Sequence, residues 1–342
     1  GAIPSELWSL TDLRELRLYS NGFTGTLPTA LGSLGQLTYL DVSGNKLAGA
    51  IPSELGLLTD LRELRLYYNG FTGTLPTALG SSGQLKYLHV SGNKLAGAIP
   101  SELWSLTDLQ VLRLYSNGFT GTLPTALGSL GQLMYLDVSG NKLAGAIPSE
   151  LWSLTDLRDL RLYSNGFTGT LPTALGSLGQ LKYLNVGGNK LAGAIPSELW
   201  SLTDLQVLGL YYNGFTGTLP TALGSLGQLT YLHVGDNKLA GAIPSELWSL
   251  TYLRELSLYD NGFTGTLPTA LGSLGQLTRL HVGGNKLTGA IPSELWSLTD
   301  LRELRLYFNG FTGTLPTALG SLGQLTYLDV SGNKLAGAIP SE

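Results

Sequence analysis

The chain repeats itself. The 48 residues from Gly1 to Ala48 restart at Gly49, Gly97, Gly145, Gly193, Gly241 and Gly289, so seven copies account for all but residues 337–342, which begin an eighth. Each copy divides again. Gly1, Pro4, Leu7, Leu10, Leu13, Leu16 and Asn21 recur as Gly25, Pro28, Leu31, Leu34, Leu37, Leu40 and Asn45, which makes the working unit 24 residues, present fourteen times. One unit is too short to enclose its own apolar edge, whereas stacked copies bury a continuous core.

Within a unit, Leu16-Arg17-Leu18 alternates with period two and predicts a short strand with one buried face. Gly25 and Pro28 punctuate the return leg, and Ser5-Glu6-Leu7-Trp8-Ser9-Leu10 is long enough for a single helical turn. The segment LRELRLYSNGFTGTLPTALGSL resembles the plant-specific, 24-residue type of leucine-rich repeat, as in receptor-like kinase ectodomains and polygalacturonase-inhibiting proteins. The resemblance covers the whole chain. It implies an α/β solenoid: a right-handed coil with a parallel concave β-sheet and short 3-10 or irregular convex segments. The predicted domain is a single uncapped solenoid over 1–342, with a partial turn at 337–342.

Each column of the coil has its own reading. Asn21, Asn45, Asn69, Asn93, Asn117, Asn141, Asn165, Asn189, Asn213, Asn237, Asn261, Asn285, Asn309 and Asn333 stand where the strand turns away. There an inward carboxamide can satisfy backbone groups that no sheet partner reaches. Phe23 and its six equivalents to Phe311 read as a stacked core spine. Trp8, Trp104, Trp152, Trp200, Trp248 and Trp296 form a row interrupted by Gly56. That row reads either as a cover over the helical turn or as a sticky flank for lateral association. Thr24-Gly25-Thr26 suggests an ice-binding array, but alternate turns carry Ala48-Gly49-Ala50 and leave it half filled.

Differences between copies fall on one face. In LxxLxLxxN the x positions point out of the sheet, and they hold 23 of the 28 departures from the majority 48-mer. The other five are Gly56, Leu57, Ser82, Tyr252 and Thr288. Fifteen of the 16 Tyr lie in these outward positions, where Tyr offers wide amphipathic contact at low entropic cost. The same face carries eleven Arg and two Lys against ten carboxylates, so it is weakly basic on a chain whose net charge is −4. A varied surface on a fixed frame suits recognition of a protein, peptide or glycan. One outward column alternates Arg17, Asp41, Arg65 and then Arg113, Asp137, Arg161, which predicts cross-strand ion pairs. The alternation lapses from Asn185 to His281. The predicted ligand site is there: Tyr183, Gly209, Tyr211, Tyr212, Tyr231, His233, Asp236, Tyr259, Asp260, Arg279 and His281. His233 and His281 predict pH-dependent binding between about pH 5 and 8.

Other chemistry is argued against. Without Cys, thiolate metal sites, disulfides and cysteine nucleophiles are excluded. The acidic balance excludes nucleic-acid binding by phosphate neutralisation alone. His89, His233 and His281 are the only His. They lie too far apart along their column to share a zinc ion, so no metal or other cofactor is expected. No nucleophile–base–orienter set appears, so no catalytic residue is assigned and the chain is read as non-enzymatic. No apolar run approaches the roughly 20 residues of a membrane span, and no basic-then-apolar leader is present. An extracellular or cell-surface setting follows from the resemblance. Neither end carries a polar cap, so the expectation is a piece of a longer array, or a protomer that self-associates through its ends or its Trp row. The rival to recognition is therefore a structural, fibrous protein built end to end or laterally.

Overall fold

The strand signal in each turn is a three-residue alternation, and each turn delivers one such strand. The computed structural model describes residues 1–339; residues 340–342, the end of the expected partial turn, lie outside the described residues. The chain clusters into two units, Gly1–Thr168 and Gly169–Glu342. In the first unit the strands Glu15–Arg17, Tyr39–Asp41, Glu63–Arg65, Tyr87–His89, Val111–Arg113, Tyr135–Asp137 and Asp159–Arg161 pair in parallel and in sequence order. In the second unit the strands Tyr183–Asn185, Val207–Gly209, Tyr231–His233, Glu255–Ser257, Arg279–His281, Glu303–Arg305 and Tyr327–Asp329 do the same. The central residue of each strand points inward. Leu64 and Leu256 are fully buried, whereas the residues beside them look out.

A second parallel sheet was not read from the sequence. It alternates strands such as Lys46–Ala50 and Gly70–Gly73, with Ala48 against Gly70 and Gly49 against Phe71. Its residues are mostly Gly, Ala and Thr, so the usual β-branched and aromatic signal is weak there. Phe71, Phe119, Phe167, Phe215, Phe263 and Phe311 nevertheless point in from this edge and are fully buried. The third side of each turn is a five-residue 3-10 helix, such as Ser101–Ser105. A proline precedes it, Pro100 holding φ at −65° and ψ at 139°.

The asparagines tie neighbouring turns together. Asn117 Nδ2 lies 3.1 Å from the carbonyl oxygen of Val90, 3.2 Å from that of Leu114 and 3.3 Å from that of Tyr115. Its Oδ1 accepts from the Leu95 amide at 3.1 Å. One side chain thus serves its own turn and the turn before it. The same set recurs from Asn45 to Asn165 in the first unit and from Asn213 to Asn333 in the second.

The tryptophans are not a flank. Trp8, Trp104, Trp152, Trp200, Trp248 and Trp296 are 1–4% exposed, folded in between successive 3-10 turns. The turns are spaced widely enough there to admit an indole, so the expected lateral interface has no exposed ring to offer. The serine one turn on clasps the same place: Ser33 Oγ donates to the Trp8 carbonyl at 2.6 Å, and Ser321 Oγ to that of Trp296 at 2.6 Å. At Gly56 the neighbouring turn has moved into the space an indole would fill, and a Cβ there would lie 2.2 Å from the Ala78 carbonyl oxygen. Ser82, where other copies carry Leu, is fully buried beside this closer approach, and Leu57 is turned outward. Three of the five departures away from the varied face are therefore one coupled change.

Two outcomes follow from this packing. Asn117→Ala leaves the Leu95 amide without its partner and takes one bond from each of three carbonyls, which keep Asn93, Asn141 and the Gly92 amide, and it lowers stability by about 1–3 kcal/mol, measured as a drop in thermal midpoint. Gly56→Trp alone costs roughly 1–3 kcal/mol through overpacking, and Ser82→Leu with Leu57→Ser in the same chain recovers part of that loss in a mutant cycle.

Candidate functional site

On the outward face of the first unit, arginines lie against tyrosine rings. The Arg17 guanidinium carbon sits 4.5 Å from the Tyr39 ring centre, and Arg65 lies between Tyr39 at 5.6 Å and Tyr87 at 4.4 Å. Arg113 lies between Tyr87 at 5.9 Å and Tyr135 at 4.3 Å. Such stacked cation–aromatic contacts contribute about 0.5–1 kcal/mol each where exposed. The arginines pair with carboxylates two residues back: Arg65 with Glu63 at 3.0 Å and Arg161 with Asp159 at 2.8 Å. The expected Arg–Asp pairs across strands are not the ones formed. Asp41 is 3% exposed, and its Oδ1 accepts from the Ser43 amide at 2.9 Å and Oγ at 2.5 Å. Asp137 does the same with Ser139. A short carboxylate held by its own turn cannot also reach a guanidinium that lies over a tyrosine ring.

In the second unit this ladder gives way to an aromatic one. Tyr211 meets His233 at 5.0 Å, His233 meets Tyr259 at 6.3 Å, and Tyr259 stacks on His281 at 4.3 Å and 14°. His281 continues to Tyr307, its Nε2 lying 3.0 Å from the Tyr307 hydroxyl. Tyr212 stands edge-on to both Tyr211 and Tyr259. Glycines make room for these rings. A Cβ on Gly235 would lie 2.4 Å from the Tyr259 ring, and one on Gly283 would lie 2.7 Å from that of Tyr307.

Gly209 opens a cleft of about 310 Å³ lined by Tyr183, Asn185, Val207, Gly209, Tyr211, Tyr231, His233 and Glu255. A Cβ on Gly209 would come within 2.7 Å of the Asn185 carboxamide, so a larger residue would displace that wall. A second hollow of about 180 Å³ adjoins it, bounded by His233, Glu255, Ser257, Arg279, His281, Glu303 and Arg305. Of the residues singled out from sequence, the structure brings Tyr183, Gly209, Tyr211, Tyr231 and His233 together in the cleft, and His233, Arg279 and His281 in the hollow. Tyr212 and Tyr259 form the adjacent rim. Asp236 lies apart from both, in a shallow depression with Tyr212, Asn189 and Lys238. Sequence reasoning missed Glu255 and Glu303, which become site residues because Arg279 bridges them at 2.9 and 3.5 Å. The only sequence signal for that bridge is Arg279 itself, which replaces a tyrosine in its column.

The backbone at the rim takes the left-handed turn that every copy takes at the same two places, as at Ser20, Tyr68 and Phe308. Tyr212, Asp236 and Asp260 have φ of 50°, 55° and 46°. At the Asp236 position the other six copies use glycine, which takes this left-handed conformation without a steric cost. Asp tolerates it better than most residues, but Tyr212 is held there at a cost of about 1–2 kcal/mol. Asp260 has its pKa raised, first by burial and then by the Asp236 carboxylate.

The imidazoles do not titrate where sequence alone placed them. Burial, then Arg305 and His233, hold His281 down to about 4, and burial lowers His233 as well. In the first unit His89 is 4% exposed and stacked on Tyr67 at 4.1 Å; burial, then Arg113 and Arg65, hold it at about 3. His281 therefore stays neutral across pH 5–8 and does not supply the expected protonation switch in that window, while His233 is shifted downward by its burial. Among the described residues no group of three or more His, Cys, Asp or Glu side chains is placed to hold a metal ion.

The family description "Leucine-rich repeat region" matches residues 75–186 and 166–286, and "Leucine Rich Repeat" matches 12–34, 36–58, 60–82, 276–298, 300–322 and 324–342. Among solved structures, the chain is similar to the plant peptide hormone receptor RGFR1 in complex with RGF2, at 32% identity and a TM-score of 0.93, over 99% of this chain and 55% of that one. It is similar to a TDR receptor at 35% identity and a TM-score of 0.94, over 99% of this chain and 59% of that one. It is also similar to the Arabidopsis receptor kinase HAESA in complex with the peptide hormone IDA and the co-receptor SERK1, at 33% identity and a TM-score of 0.81, over 99% of this chain and 65% of that one. The chain thus spans less than two thirds of each of these receptor chains. No curated protein matches it in sequence.

The lowered histidines make stability pH-dependent. An unfolded imidazole protonates near 6.5, so stability is full above that pH and falls as pH drops towards the folded values. For His89 the loss is on the order of 3 kcal/mol by pH 4. Thermal midpoints measured from pH 7 to pH 4 decline in the natural chain, and they decline less in the His89→Gln and His281→Gln variants.

Proposed function

The chain belongs to the leucine-rich-repeat family, and from that premise we propose that it is a non-enzymatic recognition module whose second unit binds an extended peptide across its outward strand face. The observation that carries this reading is the change of surface between units. The first unit's arginines and tyrosines are occupied with one another, whereas the second opens a tyrosine-lined cleft on the same columns. Apolar walls with a few convergent polar groups are what a ligand cleft needs. Two of the similar structures are receptors captured with peptide hormones, which supports a peptide over a glycan as the occupant. By the same likeness, the chain acts at a cell surface as part of a receptor-like protein. The aromatic rim and Asp236–Asp260 favour peptides carrying ring side chains and a cation.

The fibrous alternative loses its lateral contact with the burial of the tryptophans. The ice-binding alternative gains nothing, because threonine rows still alternate with alanine rows on the second sheet.

The test is selection of random dodecamer peptides on the full chain, in parallel with a glycan array. A specific peptide is expected to emerge. Tyr211→Ala and Tyr212→Ala are each expected to weaken it by about 2 kcal/mol, roughly thirtyfold in Kd, whereas Tyr163→Ala in the first unit leaves it unchanged. Enrichment on the glycan array alone would replace the peptide reading.

A further inference from the structure

We propose that the hollow around Ser257 is a selectivity subsite that takes an uncharged hydroxyl or carboxamide side chain of the ligand; this rests on the peptide reading above. The column that supplies Arg65, Arg113 and Arg161 in the first unit supplies Asn185, Gly209, His233, Ser257 and His281 in succession in the second, and returns to charge only at Arg305. Five neutral residues in a row remove the side chains that would otherwise fill this floor. Ser257 is 5% exposed, it lines the hollow, and its Oγ has no hydrogen-bond partner among the described residues. Buried hydroxyls are nearly always partnered, and an unpartnered one carries the cost of desolvation. A ligand group that bonds to it recovers that cost.

The surrounding charges decide what kind of group that is. Arg279 is shared between Glu255 at 2.9 Å and Glu303 at 3.5 Å, and Arg305 pairs with Glu303 at 2.5 Å. A ligand carboxylate entering the hollow meets Glu255 and Glu303, and a ligand ammonium meets Arg279 and Arg305. Either charge must break an existing pair while losing its own hydration. A neutral group that both donates and accepts meets neither penalty. Through Nε2, His281 is already engaged with the Tyr307 hydroxyl, and the Ser257 hydroxyl stands in the same hollow without a hydrogen-bond partner.

The hollow and the tyrosine-lined cleft share His233 and Glu255. Gly209 and Ser257 are two strands apart, roughly 10 Å at sheet spacing. An extended chain covers that distance in about three residues. The ligand motif is therefore a ring or large apolar side chain for the cleft, with a Ser, Thr, Asn or Gln two or three positions away.

The same dodecamer selection, run on the natural chain and on Ser257→Ala, tests this. The natural chain is expected to enrich a neutral polar residue at that spacing from an aromatic one. Ser257→Ala should keep the aromatic preference and lose the polar one, binding the selected peptide about three- to tenfold more weakly. The peptide with alanine at the polar position should bind both proteins alike. Without peptide, the thermal midpoint of Ser257→Ala should stay level or rise, because an unpartnered hydroxyl has been removed. Three results would overturn the subsite while leaving peptide binding intact: an equal peptide-to-alanine affinity ratio in both proteins, preference for a charged residue, or a lowered midpoint. Failure of the natural chain to enrich any peptide would overturn the peptide reading, and the subsite with it.

Discussion

Wherever a parallel strand ends and the chain turns back, backbone carbonyls and amides are left inside with no ladder to join. The asparagine of each turn answers this constraint. Its amide serves carbonyls of its own turn and the turn before, and its oxygen takes an amide of that earlier turn. The arrangement works only if the next copy arrives at the same height and register. The fixed 24-residue spacing, the identical leucine columns and the alternating Phe and Leu beneath the asparagines all follow from it. Because the frame satisfies its own polar groups, the residues that look outward are free to differ.

The two units use that freedom in opposite ways. Arginine over tyrosine over arginine makes a surface whose charges and rings are already matched, and a partner must displace these contacts to gain its own. Substituting Gly, Ser and His for the Arg and Asp of the same column opens a tyrosine-lined cleft and an adjoining hollow. Lower charge in the column opens the site, and Arg279, in place of a tyrosine, bridges Glu255 and Glu303 beside it.

The period made most of this legible. Strand positions, the buried leucines and the inward asparagines can all be read from columns that never change. Other features depend on distances between turns, which the alphabet does not carry. The tryptophans look like exposed aromatics in sequence, but they are buried because the turns part to admit them, as the collapse at Gly56 shows by contrast. Asp41 was paired with the wrong partner because charge alternation is visible in the columns, whereas the reach of a short side chain to its own Ser43 is not. Gly209 marked the cleft directly, since its side chain is missing from a column of large ones. Glu255 and Glu303 entered only when the coordinates showed Arg279 bridging them beside the hollow.

The turn-to-turn clasp has a consequence for inheritance. Each asparagine, serine and leucine of the frame is matched by the copy beside it, and all copies but the one carrying Gly56, Leu57 and Ser82 offer the same frame contacts. An in-phase exchange of genetic material between two copies would therefore yield another foldable chain. Such crossovers move whole stripes of the outward surface while leaving the frame untouched. A gene of this kind could reshuffle its specificity by recombining with itself, far faster than point substitution would allow.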